Sequence, residues 1–379
     1  NHKYEALLLS VVVVIAEICT YPHCPTDEYQ CTGNAETDFP ALCALLNVKD
    51  IPAVIAKFPT SDSFFCSKPC LTLELESKDR ARSMKVSGWR VNEQIFRALQ
   101  KMLPSMNQLQ SLGFWQAGLT DRMVVALMNT IPLCSSLRVV ALEGNVLPQQ
   151  GYHLLLSEDS VLTHLSLRNN RIGVEGARLI GSALSTARSA NKNLLSLNLA
   201  FNRICDAGAA LIAQGLRLNR SLLFLSLCNN QVGDAGAAQL AAVLREFALT
   251  HEEIVERRKL LLKRVQAVRV AVSFTELTLI TKCSEYKNII LNDGADLTVL
   301  REQAELVDSA NPLLHPSVDP RDGQVFMPGN TTLVSLNLAG QQLWCIYLCF
   351  SGKSKHKIKV KFIYIAHLKP QLLTKVLYI

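Results

Sequence analysis

Leucines alternate with polar residues in one frame that recurs along the middle of the chain. Residues 162–184, 194–216 and 222–244 all fit L-x-x-L-x-L-x-x-N-x-(I/V)-x-x-x-G-A-x-x-(L/I). The alternation predicts a short strand with buried leucines, and the Gly, Ala and Leu spacing predicts a helix after it. Since one unit cannot bury its own apolar side, the units are expected to stack as an α/β solenoid with a curved parallel sheet inside and helices outside.

Weaker copies of the frame extend the array in both directions. They begin at Leu109, Leu137 and Leu333, and a degenerate unit begins near 70–75, with an irregular loop before a helix predicted over 93–103. In the repeat frame, one asparagine follows each strand where the chain must turn. Its amide can satisfy backbone groups inside the coil, so these residues are predicted to form an asparagine ladder: Asn145, Asn170, Asn202 and Asn230.

The repeat pattern stops after Arg245 and returns only at Leu333. Between them, Thr250 and Glu253 form a capping-box sequence for a helix through about Arg269. The pattern therefore predicts five parts: an irregular N-terminal cap at 1–70, repeats at 71–245, a helical and loop insertion at 246–330, a partial last repeat at 331–344 and a divergent basic tail at 345–379.

The inserted helix has two interpretations. It is either a solvated helix that caps the last repeat, or a partner-binding helix anchored by Ile254, Leu261, Val265 and Val268. A strand-like run follows at 270–283. After Leu343 the last copy breaks off in mid-unit, which suggests the hypothesis of a truncated or alternative end.

Composition adds little to this picture except at the ends. Of 379 residues 49% are hydrophobic, which supports a large core, and the net charge is +7. Seven lysines and no acids lie in 345–379, leaving 32 basic and 32 acidic residues elsewhere, so no nucleic-acid partner is predicted. The apolar run Ala6–Ile18 is too short for a membrane span and is expected to be a buried element of the cap.

The twelve cysteines and eight histidines predict neither a metal site nor a disulfide framework. Cys205 and Cys228 lie inside repeats. One group of residues near the N-terminus has spacings that match no common zinc site: His23, Cys24, Cys31, Cys66 and Cys70. Reduced thiols are therefore expected.

No catalytic motif is present in the sequence. Residues 352–354 imitate the end of a P-loop, but the required earlier glycine is Tyr347. Neither H-E-x-x-H nor G-x-S-x-G occurs. A non-enzymatic protein without cofactor or small-molecule substrate is therefore predicted.

The repeat frame resembles the ribonuclease-inhibitor type of leucine-rich repeat over about 71–245 and 331–344. That resemblance implies a cytoplasmic protein-binding scaffold. The stretches TDFPALCALLNVKDIPAVIAKF, EFALTHEEIVERRKLLL and HPSVDPRDGQVFMPGN are similar to leucine-rich-repeat proteins of motile cilia. This second resemblance implies an axonemal partner and a location in the cilium.

Side chains that flank the strand leucines are expected to line the concave, protein-binding face of the solenoid. Arg168 is expected to be an exposed charge without a partner, whereas Trp115 either joins the face or folds onto the N-terminal cap. An alternative function is regulation of a small GTPase or another enzyme through the same face; for a GTPase, Arg168 or Arg171 would reach the phosphates. The residues of the face that stand out are Trp115, Glu143, His164, Arg168 and Phe224.

Overall fold

The computed structural model divides the chain into two compact units, Asn1–Ala141 and Leu142–Ile379. The described residues are 26, 28–58, 68–77, 80–266, 311–321, 323–340 and 359–361. The apolar run Ala6–Ile18, the strand-like run 270–283 and the expected break after Leu343 lie outside the described residues, as do most of the basic tail and of the loose Cys/His group.

The first unit contains three helices and four complete strands among its described residues. In chain order these are α1 (Ala35–Leu45), β1 (Ala53–Lys57), β2 (Cys70–Ser77), β3 (Arg80–Ser87), α2 (Glu93–Met102), β4 (Ser111–Trp115) and α3 (Asp121–Thr130). The pairs β1–β2 and β3–β4 are parallel, whereas β2–β3 is antiparallel. The prediction of an irregular loop before α2 is wrong over Arg80–Ser87. These residues form strand β3, in which Met84 and Val86 are fully buried.

The second unit has the alternation of strands and helices predicted from the repeat frame. Strand β5 (Val139–Glu143) ends in this unit. Then follow β6 (His164–Ser166), α4 (Val174–Leu184), β7 (Ser196–Asn198), α5 (Cys205–Leu216), β8 (Phe224–Ser226), α6 (Asp234–Ala242), β9 (Phe247–Ala248), helix α7 at 251–266, β10 (Asp319–Arg321), β11 (Gln324–Met327), β12 (Ser335–Asn337) and β13 (Lys359–Lys361).

The strands of the repeats form one parallel sheet in the order β6–β7–β8–β12–β13. Their leucines point to the helix side and are at most 2% exposed: Leu165, Leu167, Leu197, Leu199, Leu225, Leu227, Leu336 and Leu338. This confirms an α/β fold consistent with a leucine-rich-repeat solenoid, because each coil buries its leucines only against the next coil.

The asparagines of the repeat frame are buried and hydrogen-bonded between coils. The Asn170 amide donates to the Leu142 carbonyl at 2.6 Å, and its oxygen accepts from the Asn145 backbone N–H at 2.7 Å. The Asn202 amide donates to the Leu167 carbonyl at 3.0 Å, and the Asn230 amide to that of Leu199 at 2.8 Å. Asn145 itself donates to the Glu143 carbonyl at 3.1 Å.

Three further buried asparagines form a second row, which the sequence interpretation missed. Asn191, Asn219 and Asn330 each lie three residues before the first leucine of a coil and are at most 2% exposed. The Asn219 amide donates to the carbonyls of Leu184 at 3.0 Å and Asn191 at 3.1 Å. The Asn330 amide donates in the same way to those of Leu216 at 2.9 Å and Asn219 at 3.0 Å.

After α6 the chain leaves the array, and none of the described residues between α6 and β12 adds a strand to the repeat sheet. Strand β12 pairs directly with β8, while β9, β11 and β10 form a separate antiparallel sheet. The predicted capping box is confirmed, since the Thr250 N–H donates to Glu253 Oε2 at 2.7 Å and the Glu253 N–H to Thr250 Oγ1 at 3.3 Å. A small apolar core lies beneath: Leu218, Leu249, Leu313, Val318 and Met327.

Candidate interaction surface

The first residues of strands β6, β7, β8 and β12 form one row on the exposed strand face of the second unit. Two of the expected residues, His164 and Phe224, lie in this row. Backbone pairing aligns His164 with Ser196, Ser196 with Phe224, and Phe224 with Ser335. His164 is exposed, with Nδ1 2.9 Å from the Thr163 hydroxyl, and Phe224 is 46% exposed. Two large side chains thus project from this row beside the small side chains of Ser196 and Ser335.

The last residues of strands β6 and β7, Ser166 and Asn198, belong to a hydrogen-bonded polar chain that crosses neighbouring strands on the same face. The Ser166 hydroxyl donates to Glu143 Oε1 at 2.5 Å and accepts from the Asn198 amide at 3.3 Å. Asn198 Oδ1 in turn accepts from the Ala200 backbone N–H at 3.0 Å. The Glu143 carboxylate is therefore held in place at the end of this chain, half-buried beside the strand face.

The sequence analysis expected Arg168 to be an exposed charge without a partner, but its side chain stacks on an aromatic ring. Its guanidinium lies over the ring of Phe201, 4.4 Å from the ring centre. Phe201 is 44% exposed and is held by a bond from its N–H to the Cys228 carbonyl at 2.8 Å. Phe201 could have been found from the sequence, because among the three regular copies only this one has an aromatic residue directly before the ladder asparagine.

The thiol of Cys228 belongs to the same surface. Burial raises its pKa, and the positive charge of Arg168 and a hydrogen bond from Asn229 oppose that shift. A raised pKa keeps the sulfur protonated at neutral pH and lowers its reactivity. The described cysteines are all free thiols.

Trp115 lies in the first unit, at the end of β4, and is 48% exposed. Its carbonyl accepts from the Gly88 N–H at 2.9 Å, and its ring lies over Gly88. Gly88 follows β3, so within the first unit the ring contacts the turn that precedes α2.

The exposed end of α7 is a second apolar surface. Ile254 packs onto the small core of the inserted segment, whereas Leu261, Leu262 and Val265 are 38%, 62% and 49% exposed. Val268, the last of the predicted anchors, lies outside the described residues. The helix thus docks through its first half and presents apolar side chains near 266.

A part-buried ion pair fixes the first half of α7. Arg217 donates to both carboxylate oxygens of Glu253, at 2.9 and 2.7 Å, and its guanidinium lies 4.1 Å from the centre of the Phe247 ring. Burial acts to raise the pKa of Glu253, but the hydrogen bonds from Arg217 and Thr250 outweigh it, and the pKa lies below its ordinary value. The helix is therefore anchored as well as capped.

Neither a metal site nor a membrane-spanning helix is found where the structure is described. No group of three or more His, Cys, Asp or Glu side chains in those ranges could hold a metal ion. Across the same residues, every helix is too short or too polar to cross a bilayer.

Comparison with known proteins identifies the repeats. A family model described as leucine-rich repeat matches residues 159–181, 190–213 and 218–241. A solved structure titled "Leiomodin-1 Actin-Binding Site 2 (ABS2)" is 19% identical and covers 46% of this chain and 95% of its own, with a TM-score of 0.25. Repeats of this family are typically non-enzymatic modules that bind proteins. Residues 159–241 of this chain are thus leucine-rich repeats.

Proposed function

We propose that this protein is a non-enzymatic scaffold that binds a protein partner through the strand face of its leucine-rich repeats. The observation that carries the proposal is the set of large exposed side chains on this face, His164, Phe224 and Arg168, which lie beside small residues such as Ser196 and Ser335. Half-exposed aromatic and arginine side chains are the types that dominate protein interfaces. In the first unit Trp115 is a further candidate contact.

The ciliary location is the finer part of this proposal. Residues 37–60, 160–262 and 312–338 are similar to leucine-rich repeat-containing protein 71, and that resemblance supports an axonemal partner. The same similarity includes α1 and the capped helix α7, which lie outside the three matched repeats. A scaffold of motile cilia is therefore the function proposed.

Proximity labelling in multiciliated cells tests both parts. The intact chain is expected to label axonemal neighbours, and the variant His164→Ala/Phe224→Ala is expected to lose them. Val174→Ala is the matched control, because Val174 is 41% exposed but begins helix α4 instead of lying on a strand. Neighbours that persist in the double variant would move the interface off the strand face, and neighbours from other compartments would refute the ciliary location.

Regulation of a small GTPase is the second candidate. It is favoured by Arg171, which is exposed and has no acidic side chain within 4.0 Å among the described residues. An arginine that reaches the phosphates can accelerate hydrolysis by about a thousandfold or more. Hydrolysis of GTP by a panel of small GTPases is expected to rise with the intact chain and to fall back with Arg171→Ala if this candidate is correct.

A further inference from the structure

We propose that the end of the repeat strands in the second unit docks an acidic segment of a partner protein through Arg168, Arg171 and Arg203. This inference rests on the proposed scaffold function and adds the chemistry of the partner. The arginine patch is defined as these three side chains together with the ring of Phe201. All four side chains are exposed.

Backbone hydrogen bonds bring the patch together from two adjacent coils. The Asn169 N–H donates to the Ala200 carbonyl at 3.0 Å, and the Arg203 N–H donates to the Ile172 carbonyl at 2.8 Å. These bonds place residues 168–171 directly beside 200–203. Arg171 and Arg203 each follow a ladder asparagine, so they occupy equivalent positions in consecutive coils.

The ring of Phe201 fixes one of the three cations. The Arg168 guanidinium lies 4.4 Å from the ring centre, so one of its faces is covered while its N–H edge stays available. A stacked guanidinium loses less conformational freedom on binding than a free one, and it can still bind a carboxylate through two parallel hydrogen bonds. The patch is therefore partly organised before a partner arrives.

The nearby acids are bound to groups outside the patch. Glu175 is paired with Arg178 at 2.6 and 2.9 Å, and Asp206 accepts from the Gly236 N–H at 3.0 Å in the next coil. Glu143 accepts from Ser166. Within the described ranges no carboxylate lies within 4.0 Å of any of the three arginine side chains.

The N-terminal ends of two helices also lie near the patch, and each first turn carries one acidic residue, Glu175 or Asp206. Helices α4 and α5 begin beyond the strands at Val174 and Cys205, close in sequence to Arg171 and Arg203. Helix N-termini carry a partial positive charge. An acidic protein segment complements such an edge, and long-range attraction between opposite charges also raises its association rate.

A peptide titration tests the proposal with the full chain. Fluorescence anisotropy is recorded with a fluorescein-labelled peptide of alternating Glu and Gly, a Lys and Gly counterpart, and a single-stranded DNA oligonucleotide. The acidic peptide is expected to bind, more weakly at high salt. The triple variant Arg168→Gln/Arg171→Gln/Arg203→Gln is expected to weaken binding about tenfold or more, since several charge pairs are lost together.

Two further variants make the outcome specific. Arg245→Gln/Arg258→Gln/Lys263→Gln removes the same charge from exposed positions after α6 and on α7, and should change the affinity by less than about twofold, because isolated surface charges contribute little. Phe201→Leu keeps all three cations but removes the aromatic ring, and should weaken binding by about threefold. Circular dichroism and urea unfolding establish that each variant is folded.

Three results would overturn the proposal: no binding of the acidic peptide to the intact chain, equal loss in both triple variants, or tighter binding of the oligonucleotide that depends on the same arginines. The last would assign the patch to nucleic acid. The outcome is separable from the strand-face proposal, since the labelling test uses His164 and Phe224 and the titration uses neither.

Discussion

The regular coils and the segment inserted between α6 and β12 are built in different ways. In the coils, every strand contributes two fully buried leucines, and two rows of asparagines join each coil to the one before it. The inserted segment contributes four buried apolar side chains, which pack with Leu218 of the array, and α7 is held by the Arg217–Glu253 pair and the capping box. One is stabilised by repetition, the other by a few individual contacts.

This difference predicts how substitutions in each region affect the stability of the fold. A buried hydrogen-bond network repeated in each coil leaves little freedom in how coils stack, because any slip would leave backbone groups unpaired. We expect the inserted segment to open without breaking the array, since β12 pairs with β8 and, among the described residues, not with β9, β10 or β11. Substitutions in the two regions are therefore expected to have global and local effects, respectively.

The largest effect is expected in the second asparagine row. Asn219→Ala removes the amide that donates to the Leu184 and Asn191 carbonyls. It also removes the side-chain oxygen that accepts from the Ser221 and Leu222 N–H groups. Buried polar groups without partners are costly, so the free energy of unfolding should fall by about 4 kcal/mol. Urea unfolding followed by circular dichroism measures the loss.

Asn193→Ala is the matched control for that substitution. Asn193 is exposed and gives one hydrogen bond, from its amide to the Ser160 carbonyl at 2.8 Å. Its loss should cost less than about 1 kcal/mol. Equal effects of the two substitutions would mean that the buried row does not hold the coils together.

A smaller and local effect is expected from the ion pair of the inserted segment. Glu253→Gln leaves Arg217 without its charged partner and should destabilise the docked helix by about 3 kcal/mol. Hydrogen exchange should speed up in 247–266 and 311–327 but not in the strands β6, β7 and β8. Glu252→Gln, at the exposed neighbouring position, is the control and should leave exchange unchanged.

The same carboxylate predicts a dependence on pH. Because the pKa of Glu253 lies below its ordinary value in the folded protein, its stabilising contribution is complete above that ordinary value, about 4.3. The contribution is lost as the pH falls from there through the lowered pKa. The difference in exchange between the intact chain and Glu253→Gln should therefore be constant from pH 7 to about 5 and shrink below about 4.3. A difference that shrinks above pH 5 would contradict this assignment.

The smallest of the three effects concerns how closely the helices of the coils pack. A Cβ on Gly181 would meet the Leu211 carbonyl of the neighbouring helix, so Gly181→Ala should cost about 2 kcal/mol through displacement of α4 from α5. The control Ser182→Ala, at an exposed position of the same helix, should change stability by less than about 0.5 kcal/mol. Thermal unfolding compares them, and a tolerated Gly181→Ala would show that α4 and α5 can separate.

The repeat strands and helices could be predicted because their signals are local. Alternating leucines require a buried strand face, and Thr250 with Glu253 three residues later specifies a helix start. The partners of Arg168 and Asn219 could not be predicted in this way. Phe201 and Leu184 lie more than thirty residues from these side chains, and only the stacking of coils brings them into contact.

The amino-acid sequence by itself determined that this chain contains stacked leucine-rich units, and it predicts where they begin and where an insertion interrupts them, because periodicity is a pattern among neighbouring residues. The tertiary structure alone decided the antiparallel pairing of β2 with β3, the hydrogen bonds of the second asparagine row and the stacking of Arg168 on Phe201. These depend on register between coils. Register is fixed by contacts between distant residues, which no local pattern contains.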